Sequence, residues 1–234
     1  MPHESRFPDP RDAGPDGLIA IGGALEPDWL LDSYRHGIFP WPSSDEEPIP
    51  WCSPDPRAHL PLDGFHISRR LARRLRSGRF RFTCDQDFEG VLRGCSSAGD
   101  RQEGTWLTPN MQAAYARMHR LGHAHSVETW IDEPGGPRLV GGVYGVSVGG
   151  VFSAESMFHD DTDASKAALA ALVAHLRSRG YGLLDIQQWT DHTGSLGAEE
   201  IDRNDYLGLL AKLVDSPITF GEQLEGVDSL VERD

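Results

Sequence analysis

Two apolar segments between Leu139 and Phe158 constrain the fold more than any other part of the chain, and Gly149-Gly150 separates them. This arrangement predicts a β-hairpin, because glycine accepts the positive φ angles of a tight turn. Gly141 and Gly145 fall on one face of the first strand, which lets another group approach its backbone closely. The hairpin therefore predicts both a sheet and a point of close packing against it.

Glu155 lies near the end of this hairpin, between apolar residues of the second strand. A carboxylate in such a place is paired, has a shifted pKa or contacts a ligand. The alternative is a side chain that points to water. Farther along, Asp185 and Gln187 share one face of a predicted strand over 183–188, and Asp185 could instead form a salt bridge at the strand end.

The basic residues are concentrated in one segment, although the formal net charge of the 234-residue chain is −14. Seven arginines and no acidic residue lie between Ser68 and Arg81. Like charges four residues apart on a helix cost stability unless an anion offsets them. The segment is therefore a candidate site for a local anionic target, and the alternative is a solvated helix face.

Composition excludes several classes of protein. The three cysteines, Cys52, Cys84 and Cys95, form no close pair, which argues against a disulfide framework and for a reducing cytosol. No apolar run is long enough to span a membrane, and the N-terminus has no secretory pattern. His123 and His125 lack a third ligand, so we expect no metal. Ser195 follows His192 but lacks a nucleophile-elbow motif, which disfavours a triad.

The order of elements predicts a mixed α/β fold (an α+β mixed sheet): strand, helix, helix, hairpin, helix, strand, helix, strand. The last of these strands is predicted at 218–220. We expect a small N-terminal domain over 1–62, a larger domain over 63–220 and an acidic tail over 221–234. The N-terminal domain contains a proline-rich loop whose Trp41 and Trp51 either fill the core or form a ligand wall.

From about residue 17 to 198 the chain resembles the leucyl/phenylalanyl-tRNA–protein transferases. The segments that carry the resemblance are GLIAIGGAL, YRHGIFPW, WCSPDPR, EGTWLT, LGHAHSVE, LVGGVYGV, FSAESMF, DASKAAL and LDIQ followed by DHTGSLGA. The resemblance implies an acyltransferase domain of the GNAT type behind the small N-terminal domain. It also implies transfer of Leu, Phe or Met from aminoacyl-tRNA to the N-terminal Arg or Lys of a protein, marking it for N-end rule degradation.

The motifs imply roles for particular residues. Trp41 and Trp106 would stack on the terminal aminoacyl-adenosine. Asp185 would accept a hydrogen bond from the acceptor amine, Gln187 would hold the carbonyl or the amine, and Glu155 would attract the acceptor's positive side chain. The aminoacyl side chain would enter a pocket lined by Val143, Phe152, Met157 and Leu172. The tRNA backbone would contact Arg69, Arg70, Arg73, Arg74 and Arg76.

The chain departs from the family pattern at a few positions. A methionine common at Val143 is missing, and an aromatic residue common at Leu172 is aliphatic. The pocket is therefore expected to differ in shape from that of other members. Asp163 replaces the usual Asn before Ala-Ser-Lys, and either residue can cap a helix. We expect a cytoplasmic monomer without cofactors.

Two other functions are weighed against transfer from tRNA. A conventional GNAT acetyltransferase would bind the pyrophosphate of acetyl-CoA at a glycine-rich helix start. Here Asp160, Asp161 and Asp163 precede that helix and would repel an anion. A non-catalytic RNA-binding module would use the arginine helix, but it leaves Glu155 and Asp185 unexplained.

Overall fold

Two β-sheets carry the fold in the computed structural model, which describes residues 5–97 and 106–231. The smaller sheet has the antiparallel order β1-β3-β2, and the larger has the order β10-β4-β9-β8-β7-β6-β5. The bounds of the strands are β1 Leu18–Ile21, β2 Phe39–Pro40, β3 Pro50–Cys52, β4 Arg57–His59, β5 Arg81–Cys84, β6 Ala124–Glu133, β7 Gly136–Val148, β8 Val151–His159, β9 Leu183–Gln187 and β10 Glu199–Ile201.

Helices pack on both faces of the larger sheet. Their bounds are α1 Pro27–Arg35, α2 Arg69–Leu75, α3 Phe88–Ser97, α4 Pro109–Arg120, α5 Ala164–Arg179, α6 Asp191–Gly194, α7 Arg203–Leu213 and α8 Asp228–Val231, with short 3-10 turns at Pro10–Asp12 and Leu62–Gly64. The predicted fold class, a mixed α/β sheet preceded by a small N-terminal unit, is confirmed. Within the described part of the chain, no helix combines the length and apolar character needed to cross a bilayer.

The predicted hairpin is formed by β7 and β8, with Gly149-Gly150 as its turn. Gly149 has a φ of +56°, and a Cβ there would lie 2.4 Å from the carbonyl oxygen of Val214. The group that approaches the glycine face of β7 is the protein's own helix α5, since a Cβ on Gly141 would lie 2.7 Å from that of Ala164. Glycine here allows α5 to pack directly on the sheet.

The parallel pairing of β8 with β9 positions the functional region. It covers three residue pairs and ends where Ser153 faces Asp185. Beyond this pair the two strands separate, and β8 also carries a bulge where Ala154 and Ser156 face consecutive residues of β7. A cleft therefore opens between the two strands, with α5 as the connection between them.

The N-terminal segment is tied to the larger sheet by its aromatic core. Trp51 is fully buried and stacks on Trp29 with ring centroids 6.2 Å apart, so it is a core residue. The chain enters the larger sheet at β4, a few residues before the boundary predicted at 62.

The C-terminal segment differs from the expectation in two ways. Residues 218–220 form no strand, because side chains of α5 take their carbonyl groups: His175 Nε2 lies 2.8 Å from the Phe220 oxygen, and Arg179 donates to Thr219. Within the predicted tail, Leu224, Val227 and Leu230 pack on the core. Residues 232–234 of that tail and residues 1–4 of the N-terminal domain lie outside the described residues.

Candidate active site

A cavity of about 310 Å³ opens at the point where β8 and β9 separate. Four parts of the chain contribute to it: β2 with the residue that follows, the segment before α4, the β7–β8 hairpin with α5, and β9 with the residues that follow. Its lining residues are Phe39, Pro40, Trp41, Trp106, Val143, Ala154, Glu155, Ser156, Met157, Leu169, Ile186, Gln187, Gln188, Thr190 and Thr193. We refer to this cavity as the slot.

The slot brings together many of the residues that the sequence singled out. Trp41 is 42% exposed at its wall, and Trp106 lies edge-on to Tyr115 with centroids 6.5 Å apart. Val143 and Met157 line its apolar part. Residues 103–105 of the EGTWLT motif lie outside the described residues. The two tryptophans of the proline-rich loop thus have different surroundings, since Trp41 faces the slot and Trp51 does not.

Phe152 and Leu172 are placed behind the lining and not on it. Phe152 is buried against Phe220, and a Cβ on Gly145 would touch its ring. Leu172 is fully buried in the same core cluster. Leu169, one turn earlier on α5, takes the position on the slot surface that was predicted for Leu172.

Asp185 lies beneath the slot and is completely buried. Arg57 holds it with two hydrogen bonds, from Nε at 2.9 Å and from Nη2 at 2.7 Å. Tyr206, Ser153 and the backbone N–H of Gln187 also donate to its oxygens. Burial alone would raise the pKa of Asp185, but the charge and donors of Arg57 and the other donors lower it below its usual value.

Gln187 ends β9 in a strained conformation. Its φ is +62°, which side-chain-bearing residues rarely adopt. The N–H of Gln188 donates to the carbonyl of Ile186 at 2.6 Å, so Gln187 is the central residue of a γ-turn. The Asp185 carboxylate accepts the Gln187 N–H at 3.0 Å and so supports the turn. Strain of this kind persists where surrounding contacts enforce it, and it is frequent at functional sites.

Glu155 faces the slot with partners that carry no positive charge. Tyr115 donates to its Oε2 at 2.9 Å, and Gln187 Nε2 donates to its Oε1 at 2.7 Å. The hydroxyl of Tyr34 lies 2.7 Å from that of Tyr115 and extends this chain of hydrogen bonds. Burial, with a smaller contribution from the charge of Asp185, raises the pKa of Glu155 to about 7, although the tyrosines and Gln187 oppose the rise.

Sequence reasoning missed the residues that support these groups. Arg57 and Tyr34 lie inside the motifs WCSPDPR and YRHGIFPW, but neither motif says which side chain turns inward. Tyr115 and Tyr206 lie in helices whose apolar faces predict only core positions. The usable signal was that Arg57 is the one basic residue of the loop 37–57, whose other charged residues are all acidic.

The arginine segment forms helix α2 and is partly neutralised by the chain's own acids. Arg70 Nε lies 3.0 Å from Asp163, and Arg74 contacts Asp161 at 2.5 Å. Arg79 contacts the other oxygen of Asp161 at 2.6 Å. Among the described residues, Arg69 and Arg73 form no hydrogen bond or salt bridge, and both are exposed, as is Arg76. The anion that offsets part of the helix charge is therefore internal.

Asp163 does not act as the expected cap of α5. It has a φ of +70° and makes no side-chain cap hydrogen bond, because its carboxylate binds Arg70 instead. Asp161 is likewise turned toward α2. The charge argument against an anion at the start of α5 is weaker than the sequence indicated, since these two carboxylates are paired.

Comparison with known proteins places this combination of fold and slot among the transferase enzymes. The family model described as leucyl/phenylalanyl-tRNA protein transferase matches residues 59–211, and the model of that family's N-terminal domain matches residues 23–55. The chain belongs to the leucyl/phenylalanyl-tRNA protein transferase family.

Relatives with the name leucyl/phenylalanyl-tRNA–protein transferase match over nearly their whole length. One from Anaeromyxobacter dehalogenans (strain 2CP-C) is 49% identical over 228 residues, covering 96% of this chain and 95% of the relative. One from Nitratidesulfovibrio vulgaris (strain DP4) is 50% identical, with 92% and 90% covered. One from Shewanella baltica (strain OS155) is 47% identical, with 91% and 88% covered. The family assignment thus holds for both the N-terminal unit and the larger sheet.

Proposed function

We propose that this protein transfers Leu, Phe or Met from aminoacyl-tRNA to the N-terminal Arg or Lys of acceptor proteins in the cytoplasm, marking them for N-end rule degradation. The observation that carries the proposal is the pair formed by Glu155 and Gln187 at the wall of an apolar slot beside the exposed Trp41. Trp41 suits the nucleoside of the first substrate, and the apolar slot suits the acyl group that this nucleoside carries. Glu155 and Gln187 suit the second substrate, a cationic amine.

The apolar part of the slot suits the side chain of the transferred amino acid. Val143, Met157 and Ile186 line it together with Leu169 and Ala154. Full burial of a Leu or Phe side chain is worth about 1.5–3 kcal/mol, whereas an unpaired charge there would be strongly disfavoured. A slot of this kind selects apolar amino acids but separates them weakly from one another, by roughly 1–3 kcal/mol per methylene.

The exposed aromatic and basic residues suit the end of an RNA strand. Trp41 and Trp106 offer indole faces to the terminal base, and stacking of this kind contributes about 1–3 kcal/mol per base. The exposed Arg69 and Arg73 of α2 are available to phosphates. Arg70 and Arg74 would first have to leave their internal partners Asp163 and Asp161, so we assign the docking role chiefly to Arg69 and Arg73.

Asp185 acts in this proposal as a positioning residue, contrary to the expectation that it accepts a hydrogen bond from the acceptor amine. Its oxygens already accept five hydrogen bonds and no part of it is exposed. It holds the γ-turn that directs Gln187 toward Glu155. Because Gln187 Nε2 donates to Glu155, the amide oxygen of Gln187 remains to accept a hydrogen bond from the attacking amine.

Glu155 suits the positive charge of the acceptor. It lines the slot, and the described residues provide it with hydroxyl and amide donors but no cationic partner. A guanidinium or ammonium group that approaches it would favour the ionised carboxylate and form a charge-assisted hydrogen bond. The pKa of about 7 means that this gain is available near neutral pH.

The reaction is aminolysis of an ester. The neutral α-amine attacks the ester carbonyl carbon, a C–N bond forms and the ester C–O bond breaks. The ribose oxygen leaves with a proton, and the nitrogen loses one. An α-amino group has a pKa of about 7.7–8, so a useful fraction is neutral near pH 7.5. The protein contributes mainly orientation, which is a large effect for a reaction between two bound groups.

The test uses radiolabelled leucyl-tRNA with a peptide that begins with Arg, and the same peptide with an acetylated amine as control. We expect label in the free peptide only. Glu155→Gln should reduce transfer, whereas Glu200→Gln, at an exposed position on β10, should not. Binding of leucyl-tRNA without transfer would favour a non-catalytic RNA-binding module. Heat on titration with acetyl-CoA, without transfer, would favour an acetyltransferase.

A further inference from the structure

Three basic residues lie outside the arginine helix, each on an element that also lines the slot. They are His159 at the end of β8, Lys166 in the first turn of α5 and His192 in α6. None of them lines the slot itself. The proposed chemistry of the ester and the amine uses none of them.

Each of these residues lies within three positions of a residue that lines the slot. His159 is two residues beyond Met157 on β8, hence on the same face and about 7 Å farther along. Lys166 lies one turn before Leu169 on α5, hence about 5 Å away on the same side of the helix. His192 lies between Thr190 and Thr193, which both line the slot. The three residues therefore border the slot on three separate elements.

The three side chains lie near the surface: His159 and His192 are exposed, and Lys166 is half-buried. Among the described residues, none of them forms a salt bridge, and His159 Nδ1 has only Ser165 Oγ at 3.4 Å. Burial and then the charges of Lys166 and His159 lower the pKa of His192. The lowered pKa favours the neutral imidazole of His192, whose N–H can still donate to an anionic ligand.

The nearby acidic residues do not supply a counterion for these three basic residues. Asp161 and Asp163 are turned toward α2 and paired with its arginines. Asp160 and Asp191 adjoin His159 and His192 in the chain, but both are exposed and neither reaches the three basic groups within ion-pair distance. Within the described residues, Lys166 therefore keeps a charge that no carboxylate neutralises at ion-pair distance.

We infer that His159, Lys166 and His192 bind the 5′ phosphate of the terminal nucleotide of the RNA that carries the amino acid. This inference rests on the proposed function, because it requires the aminoacyl ester of that nucleotide in the slot. The phosphate is the anion nearest to the ester in any aminoacyl-RNA. Lysine and imidazole N–H groups are suitable donors to it, and such contacts fix register and not base identity.

The test compares two small substrates that differ in this phosphate alone. 3′-O-Leucyl-adenosine lacks it, and 3′-O-leucyl-adenosine 5′-monophosphate carries it. With an Arg-starting peptide as acceptor, the wild type should show a KM at least about tenfold lower for the phosphorylated substrate, as expected for hydrogen bonds to a charged group. The double variant Lys166→Gln/His192→Asn should lose this difference and keep the wild-type kcat and KM for 3′-O-leucyl-adenosine.

Lys212→Gln is the matched control, because Lys212 lies exposed on α7 and carries the same charge. It should leave both KM values unchanged. With leucyl-tRNA, the double variant should lower the slope of log K against log salt by about 0.7, the value for one contact to a single strand.

The outcomes separate the two proposals. If the wild type transfers leucine from leucyl-tRNA but shows equal KM values for the two analogues, the phosphate site is overturned while the proposed function stands. If the double variant loses activity equally with both analogues, the three residues support the fold or the ester and not a phosphate. If the wild type transfers leucine from none of the three substrates, the proposed function itself fails.

Discussion

Glu155 and Asp185 lie on neighbouring strands at the same opening of the sheet, yet their surroundings move their pKa values in opposite directions. Glu155 faces a cavity and has uncharged partners, and burial raises its pKa to about 7. Asp185 is completely buried but paired with Arg57, and its pKa is lowered. Two carboxylates whose environments separate their pKa values are suited to different tasks.

The difference teaches which of the two is available to a substrate. The charge of Asp185 is used within the protein, where it holds Arg57, Tyr206 and the backbone of Gln187 in place. The carboxylate of Glu155 lies at the slot surface, and its hydrogen-bond partners Tyr115 and Gln187 carry no charge. Burial alone would predict the higher pKa for Asp185, because Asp185 is the more deeply buried of the two acids. The charge and hydrogen bonds of Arg57 reverse that order.

The largest effect is expected for Arg57→Met, which leaves the carboxylate of Asp185 buried without its partner. Such a change costs about 3–5 kcal/mol of unfolding free energy. Urea denaturation at pH 7.5 measures it, with Arg35→Met as control, since Arg35 pairs with Asp215 at the exposed surface and should cost less than about 1 kcal/mol. A loss as small as that of the control would mean that Asp185 does not depend on Arg57.

The double variant Arg57→Met/Asp185→Leu should recover much of that stability, because it removes the unpaired charge as well as its partner. The same double variant should remain poor in transfer, since nothing would then support the turn at Gln187. Recovery of both stability and transfer would show that Asp185 has no positioning role.

The next largest effect is expected for Glu155→Gln in transfer to Arg-starting peptides. Loss of a charge-assisted hydrogen bond of about 2–3 kcal/mol corresponds to a decrease of about 30–150-fold in kcat/KM. In the wild type, kcat/KM should rise with pH through about 7 as Glu155 ionises, and again through about 7.7–8 as the acceptor amine loses its proton. The variant should keep only the second rise. A rise through about 7 that survives in the variant would show that it does not come from Glu155.

The sequence predicted those features of the fold and site that depend on local patterns. The β7–β8 hairpin follows from alternation on both sides of Gly149-Gly150, and the motifs that contain Trp41, Glu155 and Gln187 mark residues that the structure brings to one cavity. These features are readable because each depends on a few neighbouring residues.

Features that depend on contacts between distant segments were not readable. Arg57 and Asp185 are 128 residues apart, and no local signal pairs them. The bulge in β8 also breaks simple alternation, so that Ala154, Glu155, Ser156 and Met157 all line the slot. The alternation along β9 also predicted that Asp185 and Gln187 share one face. That prediction is wrong, because the positive φ of Gln187 turns its side chain away from that of Asp185.

The two carboxylates should also change the free energy of unfolding in opposite directions as pH rises. The folded state binds more protons at Glu155 than the unfolded state does between about 4.5 and 7, so its contribution to stability falls as pH rises through that window. Asp185, with its lowered pKa, contributes stability that is present above its unfolded pKa and is lost as pH falls through the folded value.

Urea denaturation of the wild type and of Glu155→Gln at pH 5 and pH 7.5 tests the first of these slopes. Relative to the wild type, the variant should gain about 1–3 kcal/mol between the two pH values, because it lacks a carboxylate that must ionise in a poorly solvated place. An equal change in both proteins would indicate that Glu155 titrates near its ordinary value.

The smallest effect concerns the γ-turn that connects the two regions. Gln187→Ala and Gln187→Gly both remove the amide, so both should reduce transfer equally. Glycine adopts a φ of +62° without strain, and the Gly variant should therefore be more stable than the Ala variant by about 1 kcal/mol. In an Asp185→Asn background that difference should shrink, because the turn is then less strongly enforced and alanine can relax. If the difference is unchanged in that background, the turn is set by the strand itself, and Asp185 supports Gln187 by some route other than its backbone N–H.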